Sequence, residues 1–313
     1  MKRNFKNLIK RNAARIFEVG QKVGLNILPK HFYSQIPDID QLRDDLFWKA
    51  PFEMLGIHGM DLDTQIDFLF EICSKELVSA LDRIHEAAIL QNGEDGGYGP
   101  VEADFLYCFV RKIKPLKIIQ IGCGVSTAVI LRAAKEAKYT PKIICVEPFP
   151  TQFLINLERE GLIELIKEKA QKVAVNKLSD LSFNDFLFVD STHTVKPAGE
   201  VNKIILQILP RLRPDVWVHF HDICFPYDYG RNVLNGDLFF WSESTLLHAF
   251  LIENEKFTVK LCQSYLHYMA PDRIKEALQN YIPQGNDDGL RAPGGKHFPS
   301  SIYLRVRQPS NQY

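Results

Sequence analysis

The segment IIQIGCGVST, Ile118 to Thr127, constrains the fold more than any other stretch, because a run with buried-strand character passes directly into a glycine-punctuated turn. Ile118, Ile119 and Ile121 are β-branched and apolar, the pattern of a strand covered on both faces. Gly122 and Gly124 let the chain bend sharply and bring its backbone close to a bound group. Ser126 and Thr127 are placed to cap the helix that follows, TAVILRAAKEAK. A turn built in this way is expected to touch a ligand with its backbone.

The 313 residues are enough for a large core in one or two domains. With 46% hydrophobic and 24% charged residues, the chain is expected to be folded over most of its length. Equal numbers of basic and acidic residues, 38 each, give no general electrostatic drive toward nucleic acid, so no nucleic-acid partner is expected. The six cysteines stand singly, with no CxxC pair, and read as reduced thiols of a cytoplasmic protein. No apolar run reaches the length of a membrane span. The first seventeen residues carry Lys2, Arg3, Lys6, Lys10, Arg11 and Arg15 with no acid before Glu18, and Phe5, Leu8, Ile9, Ile16 and Phe17 could form an apolar helix face. That pattern suits either a membrane-surface or partner-docking helix, or a solvated helix packed on its own domain. A homo-oligomer is compatible with the composition.

Along the chain, residues 1–97 show helical spacing and read as an N-terminal helical cap. The clearest stripe is Ile66, Leu69, Phe70, Cys73, Leu77, Leu81, Ile84 and Ala88, which predicts one long helix with Thr64 and Asp67 as a capping box. From residue 98 to 313 the pattern alternates helix and strand, with strands at LKIIQI, KIICVE, LIELIKE, DFLFVD, DVWVHFH, FTVKLC and SIYLRV. Val201, Ile204, Ile205, Ile208, Leu209 and Leu212 mark one intervening helix, and further helices are expected near Glu243 to Glu253 and Asp272 to Gln279. This alternation predicts an α/β, doubly wound, mostly parallel sheet with right-handed crossovers. The Gly- and Pro-rich PQGNDDGLRAPGGKHFPS reads as a surface loop.

Ligands of such sheets sit at the carboxyl ends of the strands, and four strand ends carry suitable groups. These are the Gly122 and Gly124 turn, Glu147, the run Asp190, Ser191 and His193, and the run His219, His221 and Asp222. Glu147 follows the glycine turn by about 25 residues, the relation in which an acid accepts ribose hydroxyls. The turn lacks the third glycine of GxGxxG, which weakens a pyrophosphate reading. His193 and His221 are candidate bases, because imidazole titrates near neutral pH. Otherwise each is a structural histidine bonding a neighbouring loop. The aromatic residues Phe225, Tyr227, Tyr229, Phe239, Phe240 and Trp241 form either a substrate lid or packing for the cap, and Arg231 could pair with an acidic group.

The strings IIQIGCGVST, ICVEPFP, FLFVDSTHTVK and VHFHDICFPYDYG occur in order from about Tyr98 to Trp241. In order and spacing they resemble the IEIGSGFST, CIEP, FIDSSH and HIHDI pattern of a bacterial branch of class I S-adenosylmethionine-dependent methyltransferases, related to the catechol-O-methyltransferase type. The resemblance implies a seven-stranded, Rossmann-like methyltransferase domain at 98–313 and S-adenosyl-L-methionine as cofactor. It places Gly122, Gly124, Ser126 and Thr127 at the methionine part, Glu147 at the ribose and Phe149 over the adenine. Asp190 and Ser191 would sit beside the cofactor's amino group, and Tyr98 and Gly99 would close over the sulfonium. His193, His221 and Asp222 would carry the chemistry, and Asp190, His221 and Asp222 could instead hold a divalent metal. Gln120 departs from the family's usual Glu. The implied reaction is O-methylation of a small-molecule or glycan acceptor. Two other readings are an NAD-dependent oxidoreductase and a catalytically silent adenosyl-binding scaffold.

Overall fold

A computed structural model describes residues 2–44, 47–94, 97–230, 233–234, 238–282, 291–292, 296–297 and 299–309. The chain divides into two compact units, Met1–Trp48 and Lys49–Tyr313. The division cuts the expected 1–97 cap, and its part from residue 49 onward belongs to the same unit as the sheet. The first unit contains α1 (Lys2–Lys22) and α2 (Ile39–Asp44).

The second unit is built on a seven-stranded sheet. Its strands are β1 (Lys117–Ile121), β2 (Lys142–Val146), β3 (Glu164–Ile166), β4 (Phe186–Val189), β5 (Trp217–Phe220), β6 (Phe257–Cys262) and, last in the chain, Ile302–Val306. The short pieces β7 (Arg291–Ala292) and β8 (Lys296–His297) pair only with each other, so the last strand is β9. The order is β3-β2-β1-β4-β5-β9-β6, parallel through β5 and antiparallel where β9 inserts between β5 and β6. This is the expected doubly wound, Rossmann-like arrangement, with a switch in strand order between β1 and β4.

Strand residues alternate between two apolar layers, as a pleated sheet covered on both faces requires. Ile118, Cys145, Phe186, Phe188 and Trp217 face one layer, while Ile119, Ile121, Val146, Val189 and Phe220 face the other. The stripe from Val201 to Leu212 is buried in the second layer. Its helix begins as α-helix at Glu200–Lys203, widens to a π turn at Ile204–Ile208 and ends in a 3-10 turn at Leu209–Arg211.

The long helix expected over Ile66 to Ala88 is three helices, α3 (Leu62–Ile72), α4 (Lys75–Val78) and α5 (Ile84–Asn92). Ser74 is extended and Arg83 is left-handed, so the chain breaks twice while the apolar spacing carries on. The cap is Asp61, whose carboxylate accepts the Thr64 amide at 2.9 Å, and not the Thr64 and Asp67 pair. Next comes α6 (Pro100–Ile113), in which every residue from Val101 to Val110 is buried. A helix enclosed on all sides is apolar all round, and Glu102 and Asp104 are the exceptions. The remaining helices are α7 (Val125–Glu136), α8 (Gln152–Arg159), α9 (Val175–Ser179), α10 (the Glu200–Lys203 segment above), α11 (Glu243–Leu251), α12 (Gln263–Met269) and α13 (Pro271–Ala277). Sequence periodicity missed α12. All six cysteines are free thiols, and among the described residues no helix is long and apolar enough to cross a membrane.

Candidate active site at the switch in strand order

The turn after β1 meets the end of β4. Gly122 has φ +83°, and a Cβ there would lie 1.6 Å from the Asp190 carbonyl oxygen. Only glycine fits both the backbone conformation and the space. The Gly122 amide donates to Val146 O at 3.1 Å and the Asp190 amide to Ile121 O at 2.8 Å, so the three parallel strands hold one another in register at the site.

Glu147 leaves the end of β2 with both carboxylate oxygens oriented by backbone. Oε1 accepts the Phe149 amide at 2.9 Å, and Oε2 lies 3.4 Å from the Cys123 amide in the glycine turn. Glu147, Phe149, Gly122, Asp190 and Ser191 line a cavity of about 400 Å³, together with Lys169 and Lys196. The side chain of Phe149 is 80% exposed at its mouth. Ser191 Oγ is buried and has no hydrogen-bond partner among the described residues, which leaves it able to meet a ligand. A larger cleft, about 920 Å³, lies between Tyr139, Phe153 and Ile163, but it contains none of the strand-end residues.

Ser126 and Thr127 are buried and already occupied. Thr127 Oγ1 accepts the Gly124 amide at 3.2 Å, and Ser126 Oγ accepts from Gln120 Nε2 at 3.2 Å. Gln120 is thus an internal support for the turn. Gly124 packs against Asn92 of α5, and Asn92 Oδ1 in turn accepts the Thr151 hydroxyl.

At the ends of β4 and β5, two histidines and several carboxylates come together. His193 and Asp222 both have φ near +55°, a conformation uncommon outside glycine that concentrates at functional sites. His193 Nδ1 lies 2.8 Å from Glu243 Oε2, and its Nε2 lies 3.4 Å from both Asp190 Oδ1 and Asp222 Oδ2. His221 Nδ1 is 3.2 Å from Asp222 Oδ1, and its Nε2 is 3.8 Å from Glu102 Oε1. The left-handed backbone at Asp222 turns its side chain back to His221, although strand alternation alone would put the two on opposite faces. Ser300 ties the group together, donating from its amide to Glu102 at 2.9 Å and from its hydroxyl to Asp222 at 3.0 Å.

Burial disfavours the charged form of His193, but contacts with Asp190 and Glu243 and the charges of Asp222 and Glu243 outweigh it. Its pKa is raised well above the ordinary imidazole value. For His221 burial is likewise overcome, by Asp222 and Asp190, and the pKa is pushed up to about 9. Burial acts to raise the Asp222 pKa, but His221 and His193 hold it well below the usual carboxylate range. Burial raises Glu243 despite its imidazole partner. The carboxylates around each ring thus make both site histidines hold a proton more firmly than a free imidazole does.

His219 behaves differently. It stacks on Phe188 at 4.2 Å with rings 10° apart and pairs with Ser301 Oγ at 2.9 Å, and burial drives its pKa well below the ordinary value. It is a neutral core residue.

The metal expectation at Asp190, His221 and Asp222 does not fit. Among the described residues no group of three or more His, Cys, Asp or Glu side chains is placed to hold a metal ion.

Tyr98 is buried, with its ring 4.8 Å from that of His221, and Gly99 caps α6. Tyr98 therefore lies beneath the histidine and is not exposed over the cavity. Phe225 and Tyr227 pack inward against His248 and Tyr268, while Trp241 lies 4.8 Å from His193 and carries the half-exposed Phe239 stacked upon it. Arg231 and most of the Gly- and Pro-rich segment lie outside the described residues. Sequence reading passed over Glu102, Glu243 and Ser300. Glu102 left a signal, one of two acids inside a buried and mostly apolar helix, whereas Glu243 resembles any first-turn acid and Ser300 any loop serine.

Residues 119–223 match a family model described as a methyltransferase domain. That span includes Gly122, Glu147, Asp190, His193, His221 and Asp222. An uncharacterized protein of Archaeoglobus fulgidus is 29% identical over 184 residues, which cover 54% of this chain and 77% of that protein. Among solved structures, the chain is similar to an S-adenosylhomocysteine-bound methyltransferase of Podospora anserina, at 15% identity and a TM-score of 0.44, covering 79% of this chain and 97% of that one. A putative O-methyltransferase from Klebsiella pneumoniae is also 15% identical, with a TM-score of 0.44 over 74% of this chain and 95% of its own.

Proposed function

We propose that the chain is an S-adenosylmethionine-dependent methyltransferase that methylates a hydroxyl of a small-molecule or glycan acceptor. One observation carries the reading. At the switch in strand order, the Glu147 carboxylate is oriented by the Phe149 and Cys123 amides beside a cavity floored by Gly122 and Asp190. A fixed acid at the end of the second strand suits the ribose of an adenosine, and a cavity of about 400 Å³ is within the range of small-ligand sites. The matched methyltransferase domain contains each of these residues.

Residues fit the cofactor as follows. Gly122, packed on the Asp190 carbonyl, would floor the methionine part, Ser191 Oγ and Asp190 offer partners for its amino group, and Phe149 covers the base. When bound there, S-adenosylmethionine supplies an already activated methyl group, so the protein's work is alignment and proton removal. Asp190, which lines the cavity, would accept the hydrogen bond of the acceptor hydroxyl and take its proton as the methyl group transfers, with His193 between it and Asp222. Trp241 and Phe239 would give the acceptor an apolar wall beside His193. In this reading residues 98–313 are the transferase domain and residues 1–97 its helical cap, and the reaction takes place in the cytoplasm.

Isothermal titration with S-adenosylhomocysteine and, separately, with NAD⁺ tests the assignment. Binding of the first alone is expected. Binding of NAD⁺, or of neither, would overturn it.

A further inference from the structure

Charge is unevenly divided along this neutral chain. Residues 1–48 hold nine Lys and Arg against five Asp and Glu, so the remainder is net negative. Six of those cations precede the first acid, Glu18, and they fall within a single helix, α1.

The same unit is where apolar side chains are left in water. Among the described residues, ten large exposed apolar side chains lie in this short unit and fourteen in the whole remainder. Ile16, Val19 and Val23 follow one another at i, i+3 and i+7, which places them on one face of α1 and its end. After the helix the chain turns back, with the Leu25 amide donating to Gly20 O at 2.8 Å, and Leu28, Phe32 and Tyr33 are exposed beyond it, Phe32 at 93%. Isolated exposed apolar residues are ordinary, but a concentration of this kind marks an interaction surface. Arg15 and Lys22, both exposed, flank the stripe.

We propose that the unit formed by residues 1–48 docks on the surface of an anionic phospholipid membrane, with the Ile16, Val19 and Val23 stripe entering the interface, Arg15 and Lys22 meeting the headgroups and the net positive charge of the unit drawing it to them. The combination of an apolar face, an excess of Lys and Arg and, among the described residues, no helix able to span a bilayer is that of a helix lying in the interfacial plane. A purely apolar protein partner would gain nothing from the cations, and a second copy packed through the same face would bring like charge against like. The inference does not depend on the methyltransferase reading.

Sedimentation of the full chain with vesicles tests it. With phosphatidylcholine containing about one third phosphatidylglycerol, at least about tenfold more protein should pellet than with phosphatidylcholine alone, and added salt should release it. The double substitution Ile16→Asp with Val19→Asp should abolish pelleting. Leu90→Asp, at an exposed position of α5, should pellet like the parent. Both variants change exposed side chains only, and an unchanged thermal midpoint shows that the sheet domain is intact. The proposal is overturned if the parent fails to pellet, if both lipid mixtures retain it equally, or if the double variant pellets as the parent does. A parent that is dimeric, with the double variant monomeric and neither binding vesicles, would assign the face to a second copy instead.

Discussion

His193 Nδ1 and Glu243 Oε2 lie 2.8 Å apart, joining the loop after β4 to the first turn of α11 across fifty residues of sequence. The backbone agrees with the side chains, because the amides of Ser242 and Glu243 both donate to the carbonyl of His193. With Nδ1 held by Glu243, Nε2 is directed at Asp190 and Asp222.

Glu243→Gln keeps the shape of that contact and removes its charge. The pKa of His193, followed by NMR of labelled histidine, should fall by about one pH unit or more, while that of His221 should move less. An unchanged His193 titration would show that Asp190 and Asp222 alone hold the proton.

Gly122→Ala places a methyl group against the Asp190 carbonyl and forces a side chain into a left-handed conformation. A loss on the order of 3 kcal/mol is expected in urea unfolding, well beyond a surface substitution. S-adenosylhomocysteine affinity should fall with it, as the floor of the cavity shifts.

Glu147→Ala removes the carboxylate and leaves the backbone of the turn in place. Titration calorimetry should show S-adenosylhomocysteine affinity reduced by about a hundredfold, the cost of two charge-assisted hydrogen bonds. Chemical stability should change little, since the side chain faces the cavity and not the core.

His221, with its pKa at about 9 in the folded chain, binds its proton more tightly than in the unfolded chain. The stabilisation is therefore fully present below the unfolded value near 6.5 and is lost as pH rises through about 9. Unfolding free energies at pH 6 and pH 10 should differ in this sense, by an amount on the order of 3 kcal/mol from this group. In His221→Gln the difference should shrink. Asp222 works at the other end, with a depressed pKa whose stabilisation is present above the ordinary carboxylate value and fades in acid.

Much of this was legible in local sequence. Ile118 to Ile121, Phe186 to Val189 and Val216 to Phe220 announce buried strands because both faces of a parallel sheet exclude water, and each strand therefore reads as a mostly apolar run, broken only by Gln120 in the first and His219 in the third. The groups at the strand ends, Gly122, Glu147, Asp190 and His221, stand out because they interrupt those runs at the same edge of the sheet. Periodicity could not show that α3, α4 and α5 are separate, since the apolar stripe continues through the breaks at Ser74 and Arg83 while only the backbone turns aside.

Tertiary structure alone decided which groups share the site and in what charge state. Glu102, Glu243 and Ser300 arrive from α6, α11 and the segment before β9, and no spacing in the sequence links them to His193 or His221. Thr127 caps its helix as expected, its hydroxyl accepting the Gly124 amide, whereas Ser126 turns inward onto Gln120. The two site histidines read as ordinary neutral-range bases, and in the fold their pKa values are raised, because electrostatic energy depends on distances across the sheet edge and on burial. Both quantities exist only once the strands have been brought side by side.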